Sequence, residues 1–265
     1  MKMNNLVLFD VDGTLTDARE PISVKMLKAL RELCKYVEIG FLTGSGLEYI
    51  KEQLWPALND PIIKHNCHLL PCNGTEYLIT SGDQEILFNE ISKAVMQEEI
   101  GAESTNRLLK LLCSLQNEIV SEYELPLAGN FIQNRGSMIN WCPIGRSADR
   151  LQRGIFRDLD KEQYIRTKYI DKLTAGLKDI SVDVTVKLGG DTSFDIYPNG
   201  WDKTYALRHF EGDEWVFWFV GDRCYPQGND YEIFSLLKDT GRAFETGGPE
   251  ETIELIDFHI LRDII

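Results

Sequence analysis

Short apolar runs alternate with helical patterns at both ends of the chain. The runs Leu6–Phe9, Val37–Leu42 and Trp215–Val220 have the length and apolar content of buried strands. The first two are followed by segments in which apolar residues recur at helical spacing, one starting after Ser23, a candidate N-cap, and one at Leu47. Alternation of strand and helix is typical of a parallel sheet with helices on its faces.

The pattern changes in the middle of the chain. Two helical stretches are predicted between Phe88 and Tyr123, and a charged helical segment covers roughly Asp160–Lys178. Four strand-like pieces are predicted at Asn130–Gln133, Ser137–Trp141, Ile180–Leu188 and Ser193–Tyr197. Helices combined with hairpin strands indicate an α/β insert with an antiparallel sheet.

Strand–helix alternation resumes near Pro198. Further elements are predicted as a helix at Asp202–Phe210, a helix at Asn229–Leu237, a short strand at Arg242–Phe244 and a terminal helix at Pro249–Leu261. Asn73-Gly74, between short apolar runs, predicts a hairpin or tight turn. The sequence therefore predicts an α/β fold with one core domain made from residues 1–82 and 199–265, and a cap domain, residues 83–198, inserted between them.

Composition narrows the class of protein. The chain has 265 residues, 43% of them hydrophobic, so it can bury a sizeable core. A net charge of −14 disfavours nonspecific binding to nucleic acid or to an anionic membrane. The longest apolar run is far too short to span a bilayer, so we expect a soluble cytoplasmic protein. Six cysteines without CxxC spacing predict reduced thiols rather than a disulfide framework or a zinc site.

Candidate chemistry begins directly after the first strand. Asp10 and Asp12 follow Phe9, with Gly13 for a turn and Thr14 adding a hydroxyl. Ligands of open parallel sheets bind beyond the carboxyl ends of the strands. A structural Asp-Gly turn is the alternative. The pattern Asp-Val-Asp-Gly-Thr after such a strand resembles the first motif of the haloacid dehalogenase (HAD) phosphotransferase superfamily.

Three further features could complete this site. Thr43-Gly44-Ser45 follows the second strand and precedes a helix, where backbone N–H groups favour a phosphate, although an ordinary capping turn has the same sequence. Lys203 could pair with an aspartate and a phosphoryl group, or be a surface lysine. Asp222 follows the apolar strand Trp215–Val220 and could instead be a turn residue or helix cap. Acidic oxygen ligands without a Cys or His set favour Mg²⁺.

The order of these features resembles the HAD superfamily over most of the chain. The resemblance implies that Asp10 is the nucleophile, that Asp12 is the acid and base, and that Lys203 pairs with Asp10 and the phosphoryl group. Thr43 and Ser45 would hydrogen-bond the transferred phosphoryl group. The implied Mg²⁺ ligands are the Asp10 carboxylate, the Asp12 carbonyl and Asp222, with Asn229 or Asp230 in support.

Arginines concentrate in the insert of this acidic chain. Arg135 lies in a predicted hairpin turn, Arg146 lies in a loop, and Arg153 follows closely. Guanidinium groups suit bidentate capture of phosphate, although a solvated charged face is the alternative. Segments 134–147, 189–203 and 221–234 resemble the eukaryotic-type phosphomannomutases. That resemblance implies that the three arginines bind the distal phosphate of a hexose phosphate, with Ser193, Asp195 and Arg19 contacting that phosphate or the sugar. It also implies a homodimer formed through the caps.

The expected activity is a Mg²⁺-dependent interconversion of mannose 6-phosphate and mannose 1-phosphate through a phosphoaspartate, with a hexose 1,6-bisphosphate as activator. A mutase needs two phosphate sites, and the arginines of the insert fit that need. The alternative is a sugar-phosphate phosphatase on the same scaffold. Thr43-Gly44-Ser45, where these mutases usually have Gly-Gly-Ser, is closer to the phosphatases. A noncatalytic sugar-phosphate sensor is a third possibility, against which the presence of both Asp10 and Asp12 argues.

Overall fold

The structure is a computed structural model that describes residues 4–82, 85–212 and 214–265. These residues form two compact units, a core unit of Met1–Lys93 with Trp201–Ile265 and a cap unit of Ala94–Gly200. The chain thus leaves the core unit once and returns to it. Residue 83, where the predicted cap begins, lies outside the described residues. The cap unit starts only after Lys93, because the strand that ends there pairs within the core sheet.

A seven-stranded sheet forms the centre of the core unit. Its strands, numbered along the chain, are β1 (Asn4–Phe9), β2 (Glu38–Leu42), β3 (Cys67–Leu70), β4 (Glu76–Ser81), β5 (Leu87–Lys93), β10 (Trp215–Gly221) and β11 (Ala243–Glu245). They lie in the order β11-β10-β1-β2-β3-β4-β5. The first five in this order are mutually parallel, whereas β4 and β5 are antiparallel to their neighbours. The expected α/β core with a parallel sheet is therefore confirmed.

Both faces of this sheet are buried, which explains the uninterrupted apolar run of β1. Successive side chains of a strand point to opposite faces. Val7 and Phe9 accordingly belong to one apolar cluster, and Leu6 and Leu8 to another. The helices of the core unit are α1 (Val24–Leu33), α2 (Leu47–Leu58), α7 (Tyr231–Leu237), α8 (Pro249–Leu255) and α9 (Leu261–Ile264).

Local signals placed the starts of α1 and α8 correctly. The Ser23 hydroxyl accepts a hydrogen bond from the Met26 N–H at 3.1 Å, as expected of the α1 N-cap. The predicted terminal helix is interrupted by a π-helical turn, Ile256–Ile260, between α8 and α9. The helix expected at Asp202–Phe210 is a 3₁₀ helix, Lys203–His209.

The cap unit is also built from helices and strands. Its strands are β6 (Ile132–Asn134), β7 (Ile139–Trp141), β8 (Thr185–Gly189) and β9 (Ser193–Tyr197), in the antiparallel order β6-β7-β9-β8. Its helices are α3 (Met96–Ile100), α4 (Ala102–Glu122), α5 (Arg150–Gln163) and α6 (Ile165–Asp179). Trp141 stacks on Phe194 with ring centroids 4.7 Å apart and meets Tyr169 of α6 edge-on, so one face of the sheet packs on helices.

Two predictions for the middle of the chain were wrong in part. The two helical stretches expected between Phe88 and Tyr123 are α3 and α4, but the first begins only at Met96. Leu87–Lys93 is instead the edge strand β5, most of whose side chains are exposed, so its sequence carries no apolar period. The single charged helix expected at 160–178 is two helices, α5 and α6, separated by Tyr164 in the left-handed conformation. Within the described residues, no helix is long and apolar enough to cross a membrane.

Candidate active site

The site in the core unit begins at the ends of two neighbouring strands. β1 and β10 pair in parallel, with Phe9 opposite Val220, so the residues that follow them emerge at the same edge of the sheet. Asp10 follows β1, and its N–H donates to the Val220 carbonyl at 3.0 Å. Asp222 follows β10. Two carboxylates that are far apart in the sequence therefore meet at this edge.

Gly13 permits the turn after Asp10 to approach Asp222 closely. Its φ is +85°, and a Cβ at this position would lie 2.5 Å from the Asp222 Oδ2 atom. Any side chain here would be strained by its backbone conformation and would also displace the carboxylate. The Asp-Gly step of the first motif is thus required by the packing of this site.

Lys203 is the centre of the cluster. The Asp202 side chain caps the 3₁₀ helix that carries it, accepting a hydrogen bond from the Thr204 N–H at 2.9 Å. The Lys203 side chain is completely buried, and its ammonium group donates to both Asp10 and Asp230. Asp230 also accepts a hydrogen bond from the Arg223 N–H at 3.0 Å. The fold therefore places a buried cation between two buried carboxylates.

Electrostatics in this cluster are dominated by burial. Burial, followed by repulsion from Asp230 and Asp222, raises the pKa of Asp10 well above its usual value, although Lys203 opposes the shift. Burial and the charge of Asp230 raise the pKa of Asp222 to about 6. Burial alone would lower the pKa of Lys203, but the charges of Asp10 and Asp230 outweigh it, and the pKa is raised. The charge of Asp230 thus disfavours the ionisation of both Asp10 and Asp222.

The donor set fits a divalent cation. Asp10, Asp222 and Asp230 each offer an oxygen within 4.8 Å of the others, and they form the one such group found among the described residues. Lys203 and the Arg223 guanidinium, 3.5 Å from Asp222, supply two positive charges against three carboxylates. The Asp222 Oδ1 and Asn229 Oδ1 atoms are buried without a hydrogen-bond partner. Uncompensated negative charge and hard oxygen donors suit Mg²⁺.

The remaining core residues predicted for the site lie around this cluster in different ways. The Asp12 Oδ1 atom accepts the Arg19 N–H at 2.9 Å, so its side chain is not one of the three clustered carboxylates. Arg19 in turn donates to the Tyr49 hydroxyl at 3.0 Å. Thr43 is buried after β2, and its hydroxyl accepts the Ser45 N–H at 3.1 Å. Because β2 pairs in parallel with β1, the Thr43 loop emerges at the same sheet edge as Asp10.

Strand register brings one set of polar residues together in the cap unit. The Arg135 Nη1 atom lies 3.9 Å from the Asp195 carboxylate, and both side chains are largely buried. Asn140, opposite Asp195 in the β7–β9 ladder, donates to the Asp195 carboxylate at 2.7 Å and to the Ser193 hydroxyl at 2.9 Å. These side chains occupy the sheet face opposite Trp141 and Phe194.

Arg153 connects a second set in the cap unit. From α5 it donates to the Thr192 hydroxyl at 2.9 Å, to the Ala148 carbonyl at 3.0 Å and to the Arg146 carbonyl at 3.3 Å. Thr192 directly precedes Ser193, so the two sets are adjacent along the chain. Arg153 thus fixes the loop that carries Arg146, while the half-buried Arg146 side chain extends from that loop.

Sequence reasoning missed three members of the polar row beside Arg135. Gln133, Asn140 and Lys187 lie in one row with the predicted Asp195, in the strand order β6, β7, β9 and β8. Thr192, which accepts from Arg153, was also missed. The signal was a polar residue at every other position of short strands, but the pairing of those strands is needed to align them.

Comparison with known proteins identifies relatives over nearly the full chain. The model of the eukaryotic phosphomannomutase family matches residues 26–261. A phosphomannomutase from Encephalitozoon cuniculi is 38% identical over 257 residues, which cover 95% of this chain and 92% of that protein. A phosphomannomutase from Dendrobium officinale is 35% identical over 97% of this chain and 94% of its own length. A phosphomannomutase from Saccharomyces cerevisiae is 34% identical over 96% of this chain and 94% of its own length.

Solved structures share the fold at low sequence identity. An IMP-bound Plasmodium falciparum IMP-nucleotidase superposes with a TM-score of 0.62 at 14% identity, covering 96% of this chain and 67% of that one. The C-terminal domain of a Candida albicans trehalose-6-phosphate phosphatase gives a TM-score of 0.55 at 16% identity, covering 99% and 94%. At these identities the likeness concerns the fold alone.

Proposed function

The chain belongs to the eukaryotic phosphomannomutase family, and from that premise we propose that it interconverts mannose 6-phosphate and mannose 1-phosphate by phosphoryl transfer through Asp10. The observation that carries the proposal is the buried Lys203 ammonium group, which donates to Asp10 and to Asp230 beside a third carboxylate. This arrangement supplies a nucleophile, a fixed cation and a cation-binding group at one sheet edge.

Asp10 acts as the nucleophile in this proposal. One of its carboxylate oxygens forms a bond to phosphorus, and the bond from phosphorus to the sugar oxygen breaks. Lys203 holds the carboxylate through Oδ1, which leaves Oδ2 for attack. Ionisation of Asp10 requires compensation of the nearby negative charge, since burial and two neighbouring carboxylates raise its pKa.

Asp12 moves the proton. It gives a proton to the departing sugar oxygen and takes one back from the sugar hydroxyl that attacks the phosphoaspartate in the reverse step. The Arg19 N–H bond to its Oδ1 atom orients the carboxyl group and leaves Oδ2 for this task. The buried Thr43 hydroxyl and Ser45 would hydrogen-bond the phosphoryl oxygens.

We propose Mg²⁺ as the cation of this metal-dependent family. The residues that would hold it are Asp10, the Asp12 carbonyl and Asp222, with Asn229 in support. Asp230 serves chiefly to hold Lys203 and the Arg223 N–H. When bound, Mg²⁺ would neutralise charge on the phosphoryl oxygens and on the clustered carboxylates.

The cap unit supplies the second phosphate site that a mutase requires. In the proposal Arg135, Arg146 and Arg153 bind the phosphate at the other end of the sugar, and Arg153 also holds the Arg146 loop. Ser193 and Asp195 contact that phosphate or the sugar hydroxyls. Reorientation of a hexose 1,6-bisphosphate between two half-reactions then exchanges the two ends. The same bisphosphate would act as activator by phosphorylating Asp10.

We also propose a homodimer formed through the cap unit and a cytoplasmic location. All six cysteines are free thiols, which suits a reducing compartment. Sedimentation equilibrium of the full chain tests the dimer, and cell fractionation tests the location. A monomer at micromolar concentration would contradict the first proposal.

A coupled assay with mannose 1-phosphate, with and without glucose 1,6-bisphosphate, tests the function. We expect mannose 6-phosphate to form, formation to accelerate with the bisphosphate, and Asp10→Asn to abolish it. Release of stoichiometric phosphate without isomerisation would replace the mutase with a phosphatase. Binding without turnover would indicate a sensor.

A further inference from the structure

A strained turn lies beside the candidate active site and takes no part in the chemistry described above. Cys72, Asn73 and Gly74, which we call the 72–74 turn, connect β3 to β4 with φ values of 51°, 63° and 80°. Three consecutive left-handed residues, two of them not glycine, are unusual because a Cβ disfavours this conformation. Such strain persists only where surrounding contacts hold it, and it is concentrated at functional sites.

One side of the 72–74 turn holds the loop that follows β2. The Cys72 N–H donates to the Ser45 carbonyl at 2.9 Å, and the Asn73 N–H donates to the Thr43 carbonyl at 2.8 Å. Both residues that carry the phosphoryl-binding hydroxyls are therefore fixed through their backbone carbonyls. The left-handed conformations allow two successive N–H groups to point at this loop.

The other side of the turn holds the 3₁₀ helix that carries Lys203. The buried Asn73 side chain donates from Nδ2 to the Trp201 carbonyl at 3.2 Å, two residues before Lys203. A Cβ at Gly74 would lie 2.6 Å from the Ala206 Cβ, so the turn and this helix are in direct contact. At the end of the helix, the His209 Nε2 atom hydrogen-bonds the Gly74 carbonyl at 2.7 Å.

We propose that Asn73 is a positioning residue for phosphoryl transfer, because its backbone N–H and side-chain amide join the Thr43 loop to the Lys203 helix. Lys203 and Thr43 come from segments 160 positions apart in the sequence, and Asn73 donates to the Thr43 carbonyl and to the Trp201 carbonyl, two residues before Lys203. A shift of either group relative to Asp10 lowers the rate without preventing substrate binding. This role rests on the proposed function of Asp10 and Lys203.

Asn73→Gly tests the proposal. Glycine accepts the left-handed conformation and keeps the backbone N–H that donates to the Thr43 carbonyl. The variant therefore removes the side-chain hydrogen bond to the Trp201 carbonyl and keeps the backbone one. We expect kcat for p-nitrophenyl phosphate to fall by about 10- to 100-fold while KM changes by less than about threefold. Amides of residues 201–210 should exchange with deuterium at least about tenfold faster than in the wild type.

Asn66→Gly is the matched control. The Asn66 Nδ2 atom also donates to a backbone carbonyl, that of Ile62 at 2.7 Å, but in a loop remote in sequence from both catalytic segments. This variant should keep kcat within about twofold and leave exchange in 201–210 unchanged. When Asn73→Gly is added to Lys203→Met, kcat should fall by less than a further factor of about three, because the effect of Asn73 acts through Lys203.

If Asn73→Gly does not fold, Asn73→Asp serves instead. It tolerates the same backbone conformation, but an ionised carboxylate cannot donate to the Trp201 carbonyl, so the same loss of kcat is expected. If the wild type is active and either folded variant keeps the wild-type kcat and the wild-type rate of amide exchange, the role of Asn73 is overturned while the proposed function stands. A wild type that transfers no phosphoryl group would overturn the proposed function itself.

Discussion

Replacing Lys203 with methionine tests the electrostatics of the Asp10 cluster. Methionine keeps an unbranched apolar side chain but removes the ammonium group, which is completely buried between Asp10 and Asp230. Removing one partner of a buried ion pair leaves an uncompensated charge and costs about 3–5 kcal/mol. We expect the free energy of unfolding near neutral pH to fall by that amount. We also expect kcat to fall by about 100- to 1,000-fold, since a fixed cation at the reacting group is lost.

Lys64→Met provides the matched control. Lys64 is also largely buried, but its ammonium group donates to the Gly82 carbonyl at 2.7 Å instead of to a carboxylate. Its removal loses a charged hydrogen bond, worth about 1.5–3 kcal/mol, and strands no charge. Urea unfolding followed by circular dichroism, in EDTA at about pH 5 and about pH 8, measures both variants.

The pH dependence separates the two variants. Burial and the neighbouring carboxylates hold the folded pKa of Asp10 above its usual value of 3.8, and loss of Lys203 raises it further. The folded protein then keeps a proton that the unfolded chain has released, so the free energy of unfolding falls as pH rises from 3.8 through the folded pKa. The wild type, in which Lys203 holds the folded pKa of Asp10 lower, stops losing stability at a lower pH. The loss of unfolding free energy caused by Lys203→Met should therefore be smaller at about pH 5 than at about pH 8, whereas that caused by Lys64→Met should be equal at both. Equal losses in the two variants, or a pH-independent loss in Lys203→Met, would refute this reasoning.

Three further predictions concern single residues. Asp222→Asn should raise the free energy of unfolding in EDTA above pH 6 by up to about 3 kcal/mol, because the pKa of Asp222 is raised to about 6 and each pKa unit corresponds to about 1.4 kcal/mol. The same variant should bind Mg²⁺ more weakly in calorimetry. Destabilisation in EDTA, or unchanged Mg²⁺ binding, would contradict the prediction. Arg146→Ala should lower kcat/KM for mannose 1-phosphate by about 10- to 100-fold and leave that for p-nitrophenyl phosphate within about twofold; equal losses would argue against a distal-phosphate role. Gly13→Ala should lower the free energy of unfolding by about 1–3 kcal/mol and should also lower kcat. Gly46 has a φ of −78° and a Cβ there would meet no atom within 4 Å, so Gly46→Ala should cost at most about 1 kcal/mol, through the α2 N-cap. A fully stable Gly13→Ala in thermal unfolding would show that the turn can shift.

Local sequence patterns were sufficient where the signal is contained within one element. The apolar runs of β1, β2 and β10 and the Ser23 cap predicted the bounds of their elements to within two residues. The pattern failed at Leu87–Lys93, because an edge strand with two exposed faces has neither an apolar period nor a buried run. It also failed to separate α5 from α6, since the break at Tyr164 depends on a left-handed residue that is not glycine.

The candidate site divides in the same way. Asp10 and Asp222 could be found from the sequence because each follows a buried parallel strand, and the ends of neighbouring parallel strands converge. The pairing of Asp230 with Lys203 could not, since the sequence offered Asp230 only as a supporting Mg²⁺ ligand, and the pairing depends on which side chain the turn after β10 directs toward Lys203. Asn73 and Asn140 were missed because their importance comes from partners more than fifty positions away.

The sequence by itself determined the type of chemistry and the class of fold, because the Asp-x-Asp-Gly-Thr strand end and the alternation of apolar runs are local properties. Only the tertiary structure decided which charges compensate one another. Lys203 is an ordinary lysine in the sequence, and burial between Asp10 and Asp230 turns it into a fixed cation with a raised pKa. Desolvation strengthens such interactions, and burial arises only when distant segments pack together.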